Sequence, residues 1–188
     1  MPSCQVVLAD HVVSCASHRP RGPRPATRSG DNDPVRARAQ ITLPGRISEA
    51  EALWYDLSRW PAFVDGFHHV VSRDESWPAA GTLIWDSTPG GRGRVAEYVR
   101  RHEPRVGQTA EVEDEKITGT QTLSFAGRQD DRVLMTLELR YALKERPLGP
   151  LSTLVDVLFI LPRQRDALQR TLARFGRELA TDRELAVG

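Results

Sequence analysis

The sequence predicts an α+β domain in which a curved seven-stranded antiparallel sheet wraps around one long C-terminal helix, with two short helices after the first strand. Three observations carry this expectation. An alternating segment is followed at once by a capped helical one; six further strand-like runs are divided by hairpin-type turns; and helical spacing takes over beyond position 150.

The first strand spans Val35 to Leu43, where Val35, Ala37, Ala39, Ile41 and Leu43 share one face and Arg36, Arg38, Gln40 and Thr42 the other. Pro44-Gly45 ends it. Ser48 with Glu51 three residues on reads as a capping box ahead of Ala52, Leu53 and Leu57. Proline disfavours helical geometry in the residue before it, so Trp60-Pro61 stops this helix and a second short turn follows around Ala62 to Val64. Strand-like runs then cover Phe67 to Arg73, Thr82 to Thr88, Arg94 to Glu103, Thr109 to Ile117, Thr120 to Ala126 and Arg132 to Leu143. Their separators are Gly, Pro and Asp clusters, which suit hairpins rather than crossovers. The last run alternates most cleanly, with Val133, Met135, Leu137, Leu139 and Tyr141 on one face. After Pro147-Leu148-Gly149-Pro150, apolar residues from Leu151 through Leu161, Leu168, Leu172 and Phe175 to Leu179 recur at steps of three and four. Pro162 should kink that helix.

The N-terminal stretch reads differently. From Ser17 to Pro34 it is rich in Pro, Arg, Gly, Ser and Asp and offers almost no apolar side chain to offset the entropy of ordering. Residues 1–34 are therefore expected to be a disordered tail before one domain at 35–184. Patterning that begins only at Val35 also suggests a natural start codon near there, which the mass of the native N-terminus would test. Val12-Val13-Ser14-Cys15 faintly resembles a lipoprotein cleavage box, but no Lys or Arg precedes Arg19, contrary to a signal peptide.

Composition excludes several classes. With 26 Lys and Arg against 25 Asp and Glu the formal charge is only +1, so no global field favours nucleic acid. No apolar run approaches the ~20 residues of an integral membrane segment. The two cysteines, Cys4 and Cys15, lie in the expected tail and cannot staple the core, which fits a reducing, cytoplasmic setting.

The order of elements resembles the START-like helix-grip superfamily (SRPBCC), in particular its polyketide cyclase/dehydrase and coenzyme Q-binding-like branch. Val35 to Ile47 followed by Glu51-Ala52-Leu53-Trp54-Tyr55-Asp56-Leu57-Ser58-Arg59-Trp60-Pro61-Ala62-Phe63-Val64 is similar to that branch's opening strand and its helix with an aromatic-Pro-x-aromatic segment. Gly81, the Glu97 to Pro104 stretch and Pro147 to Pro150 extend the likeness over about Val35 to Glu184. The resemblance implies an internal cavity for a lipid, polyketide or quinone-like molecule. Physics agrees, since one helix cannot fill the concave face of a seven-stranded sheet.

Candidate cavity residues are Trp85, Tyr98 and Tyr141 on strands, each an aromatic body with a polar tip, and Leu154, Leu158 and Arg165 on the helix. Core packing is the competing reading for the aromatic residues. Arg165 sits in the apolar seam between Leu161 and Leu168, where it either holds a polar ligand group or sends its head to water or to an acid such as Asp114 or Glu138; the second reading is favoured. Trp54 and Trp60 are read as anchors of the short helices. His68-His69 with Asp65 is discounted as a metal site, because adjacent strand residues point to opposite faces. Pro89-Gly90-Gly91-Arg92-Gly93-Arg94 lacks the Lys-Ser/Thr ending of a phosphate loop and reads as a hairpin turn. No Gly-x-Ser-x-Gly occurs.

The leading expectation is a binding or carrier domain for a hydrophobic small molecule, with neither metal nor organic cofactor and no catalytic residue assignable. The alternatives are a cofactor-independent cyclase or dehydratase in which Arg165 and a tyrosine orient the chain, and a protein-interaction module using the outer sheet face. Ligand identity and the choice between monomer and homodimer are beyond the sequence.

Overall fold

In the computed structural model, which describes residues 34–144 and 161–187, β1 (Val35–Pro44) is followed by α1 (Ile47–Tyr55), a 3-10 turn (Leu57–Arg59) and α2 (Trp60–Phe63). Then come β2 (Phe67–Arg73), β3 (Thr82–Ser87), β4 (Arg94–Glu103), β5 (Gly107–Glu113), β6 (Ile117–Arg128), β7 (Arg132–Leu143) and α3 (Leu161–Val187). The seven strands form one curved antiparallel sheet in the order β1-β7-β6-β5-β4-β3-β2. Consecutive strands from β2 to β7 are neighbours, as hairpin connections demand, and β1 returns to pair with β7.

Alternation decides which face is buried. Val133, Met135, Leu137, Leu139 and Tyr141 of β7 point inward beside Ala37, Ala39 and Leu43 of β1. Outward-facing charges pair across strands, as in Arg36 with Glu138 and Arg100 with Glu111. The helix α3 presents Leu168, Leu172, Phe175 and Leu179 to this face at helical spacing and lies chiefly over β1. Small residues permit that approach. A Cβ on Gly176 would stand 2.9 Å from Leu43 Cδ2 and 3.2 Å from Ile41 Cδ1, so those two side chains would have to give way to any other residue there.

One helix still leaves the concave face underfilled, and aromatic rings take up the remainder. Phe175 packs on Phe63 (ring centroids 5.2 Å apart) and on Trp54 (5.8 Å). Trp60 then touches Trp54, Phe67, Trp77 and Trp85, with centroids 5.7 to 6.3 Å apart. All four tryptophans of the chain belong to this one cluster. The short helices exist to deliver it: α1 buries Leu53 and Trp54, α2 buries Trp60 and Phe63, and Trp60 Nε1 donates to the Trp54 carbonyl at 2.7 Å. Asp56 caps the turn between them by accepting from the Ser58 N–H at 3.0 Å.

Several expectations need correction. Helix α1 starts at Ile47 with Arg46 as its N-cap, and Glu49, three residues on, accepts the Arg46 N–H at 3.0 Å; Glu51 instead accepts the Arg105 N–H at 2.8 Å, so it is not a capping-box member. The β5–β6 turn falls at Asp114 to Lys116 and not near Gly119, because Asp114 Oδ1 accepts from the backbone N–H groups of Lys116 and Ile117, both at 2.8 Å. His68 and His69 do not diverge. A register irregularity between Phe67 and His69 leaves both imidazoles exposed and adjacent, with Nδ1 atoms 2.7 Å apart. No group of three or more metal-ligating side chains occurs among the described residues. The expected tail, except for Pro34, and the helical stretch from Leu151 to Ile160, with the kink that Pro162 would impose on it, lie outside the described residues.

Phe175 is fully buried between the helices and the sheet. Phe175→Ala should therefore cost about 3–5 kcal/mol, read from the midpoint of a denaturant melt at constant m; a loss under about 1 kcal/mol would show that the ring cluster does not hold the helix to the sheet.

Candidate functional site

The ring cluster stops at Phe67 and Trp85, and beyond it, where β3 and β5 end and β2, β4 and β6 begin, lies a cleft of about 660 Å³. Its walls come from separate elements. The α2–β2 corner supplies Val64, Asp65, Gly66 and Phe67; the β3–β4 turn supplies Thr88 to Arg92; the β5–β6 turn supplies Asp114, Lys116 and Ile117. Leu143 at the end of β7 and one stripe of α3 complete it. The space exists because the β3–β4 turn is built from Pro89, Gly90 and Gly91, which carry little side chain into it.

A buried polar ladder runs behind the β3–β4 wall. Trp85 Nε1 donates to Glu97 Oε1 at 2.9 Å, and Arg92 lies with its guanidinium carbon 5.9 Å from the Trp85 ring centroid. Arg92 Nε donates to Asp114 Oδ2 at 2.7 Å, which joins the β3–β4 and β5–β6 turns. The Asp114 side chain is 2% exposed and that of Arg92 24%, so water screens this pair far less than the outer ones. With Oδ1 taken by two backbone N–H groups and Oδ2 by Arg92, both oxygens of the Asp114 carboxylate are engaged. Burial pushes the Glu97 carboxyl above its ordinary range, and the Trp85 hydrogen bond and the nearby Arg92 charge only partly oppose this.

The α2–β2 corner is latched to the helix. Arg170 grips Asp65 through Nε at 3.0 Å and Nη2 at 2.8 Å, Arg174 Nη1 lies 3.3 Å from the same carboxylate, and the Asp65 N–H donates to Thr171 Oγ1 at 3.0 Å. This fixes the mouth on one side. Toward the other end of the strands Tyr55 packs edge to face on Trp77 and on His102. Burial, then the Glu51 charge, pushes the Tyr55 hydroxyl upward, so it stays protonated.

The sequence-derived candidates do not gather in the cleft. Trp85 is buried in the ring cluster behind it, and Tyr141 is buried on the inner face of β7. Tyr98 is 36% exposed on the outer face, because Val95 and Glu97 take the inner positions of β4. That placement removes it from the cavity set. Arg165 is exposed, and the acids considered for it are engaged elsewhere: Asp114 with Arg92, Glu138 with Arg36 and Arg140. The stripe of α3 that faces the cleft carries Arg163, Ala167, Arg170 and Arg174 instead. Leu154 and Leu158 lie outside the described residues. Sequence reasoning missed Lys116 and gave Arg92, Asp114 and Asp65 other roles, in a hairpin turn, as a partner considered for Arg165 and beside the two histidines, although an arginine flanked by Gly91 and Gly93 in a hairpin turn is a usable signal.

No protein-family model matches the sequence, and no curated protein matches it. Solved structures do. TTHA0849 from Thermus thermophilus is 16% identical at a TM-score of 0.63 over 79% of this chain and 99% of that one. A START superfamily protein from Mycobacterium smegmatis is 11% identical at 0.59 over 78% and 97%. The di-domain ARO/CYC StfQ from the steffimycin biosynthetic pathway is 17% identical at 0.60 over 81% and 52%, so this chain spans about half of it. The architecture is thus the START-like helix-grip fold.

Asp114→Ala should cost about 3 kcal/mol in a denaturant melt, since it strands Arg92 and two backbone donors together. Glu97→Gln tests the carboxyl. Its pKa in the fold is raised, so ionisation opposes folding as pH climbs above the ordinary value of 4.5, whereas below that value the group is neutral in both states. The variant should gain thermal stability relative to the natural chain as pH rises and show no gain in acid; a pH-independent difference would contradict the assignment.

Proposed function

We propose that the domain binds a hydrophobic small molecule in the strand-end cleft, with the apolar part of the ligand against Val64, Phe67, Ile117 and Leu143. The cleft itself carries this reading. At about 660 Å³ it lies within the range of roughly 300–1,000 Å³ typical of small-molecule sites, and its walls are held by the Arg92–Asp114 pair and the Asp65–Arg170 latch, so it needs little rearrangement to receive a ligand. The fold shared with a START superfamily protein and an ARO/CYC di-domain supports it at the level of class.

The cyclase or dehydratase reading, in which Arg165 and a tyrosine orient a reacting chain, has less support, because Arg165 is exposed, Tyr98 lies on the outer face of the sheet and Tyr141 is buried in the core behind β7, outside the lining of the cleft. The interaction-module reading asks for a continuous apolar surface. Among the described residues the large exposed apolar side chains are Val71, Tyr98, Val106 and Leu185, on four separate segments. No described helix is long and apolar enough to cross a membrane.

N-Phenyl-1-naphthylamine, a neutral apolar fluorophore, should bind saturably with one site per chain. Ala167→Trp, which places an indole in the cleft from the face of α3, should weaken that binding about tenfold or more with an unchanged melting temperature. Unsaturable binding, or an affinity indifferent to the variant, would overturn the proposal.

A further inference from the structure

We propose that the ligand of this cleft is an amphipathic anion, whose acidic head group is held by Lys116 and Arg163 beside Arg92 while its apolar body follows Phe67, Ile117 and Leu143. This rests on the binding reading above and narrows it to a chemical class.

The charge distribution is the starting point. Over the whole chain basic and acidic residues nearly cancel, at 26 against 25. In the cleft they do not: Arg92, Lys116, Arg163, Arg170 and Arg174 face only Asp65 and Asp114. Both carboxylates are already committed. Asp65 is shared by Arg170 and Arg174, and Asp114 is filled by Arg92 and two backbone donors. Lys116 and Arg163 are left in the wall without a carboxylate among the described residues. Arg92 adds a second, independent observation: its Nη2 is buried and finds no acceptor among the described residues. A guanidinium N–H withdrawn from water without an acceptor is costly, and a rotation of the Arg92 side chain toward the cleft lets an anionic oxygen supply the acceptor.

Helical spacing explains why these cations converge. Arg163, Ala167, Arg170 and Arg174 recur at steps of four, three and four, so they form one stripe of α3 that faces the cleft. The small Ala167 sits in the middle of it. The stripe therefore presents a gap flanked by guanidinium groups, opposite the Lys116 and Arg92 turns. Mutual repulsion of the cations makes the empty site electrostatically unfavourable, and low-dielectric walls strengthen the attraction for a negative charge. A carboxylate, sulfonate or phosphate head meets this arrangement, whereas a neutral quinone or ester leaves the excess charge uncompensated.

A matched pair of fluorophores provides the test. 1-Anilinonaphthalene-8-sulfonate and N-phenyl-1-naphthylamine share one ring system and differ by a single sulfonate. At low ionic strength the natural chain should bind the sulfonate about tenfold or more tightly than the neutral probe, and roughly half a molar salt should erode that preference. The double variant Lys116→Gln with Arg163→Gln should abolish the preference while leaving the affinity for the neutral probe within about twofold. Equal affinities for the natural chain, or a preference that survives the double variant, would overturn the anionic assignment and leave the binding reading standing. Failure of both probes to bind saturably would overturn the two together.

Discussion

The packing of Trp54, Trp60, Phe63, Phe67, Trp77, Trp85 and Phe175 against the concave face of the sheet is the constraint on which the other features depend. A curved sheet of seven strands offers more apolar surface than a single helix can cover, and here rings carried in by two short helices cover the difference. Where the rings end, space begins. The cleft is therefore displaced to the ends of the strands and is rimmed by turns, and turns are where glycine, aspartate and arginine accumulate. A deep apolar cavity would select for hydrophobicity alone; a cleft at the strand ends adds charge to the selection.

The same geometry couples the cleft to the core. Arg92 touches the outermost ring of the cluster, Trp85, and the carboxylate that fixes the β5–β6 turn. Trp85 in turn donates to the buried Glu97, so a charge at the mouth, an aromatic ring and a carboxyl with a raised pKa form one connected series. Polar groups this withdrawn from water are tolerated because nearly every donor and acceptor among them is matched. Arg92 Nη2, in a cleft wall, is one of the few buried groups among the described residues without a hydrogen-bond partner.

Much of the architecture is legible in the sequence, for identifiable reasons. The period of two in Arg132 to Leu143 assigns the inner face of β7 correctly, and two short helices do follow β1, although the expected cap does not form and Trp60-Pro61 opens α2 rather than stopping the first helix. The site is less legible. Tyr98 is a candidate by residue type, although the Val95 and Glu97 alternation beside it already places it outward. Arg165 matches the helical seam by spacing, yet the buried seam of the described helix begins at Leu168, and the stripe of the helix that lines the cleft runs through Arg163 and Ala167 and leaves Arg165 exposed. The irregularity that brings His68 and His69 together, and the inward turn of Arg92, depend on backbone geometry that leaves no periodic trace. Nor could any pattern show that Asp114 would join two turns across 22 positions of chain.

If rings fill the space beneath the sheet, the ligand proposed for this domain enters at the strand ends. Backbone and indole N–H chemical shifts followed during titration with N-phenyl-1-naphthylamine test this most directly. The largest changes should fall at Gly66, Thr88, Gly91, Ile117 and Ala167, with the Trp77 indole and the amides of Tyr55, His102 and Gln108 unmoved. Large changes at Trp77, Tyr55 and His102 with a silent β3–β4 turn would contradict it, because they would mean that the ligand enters the ring cluster itself.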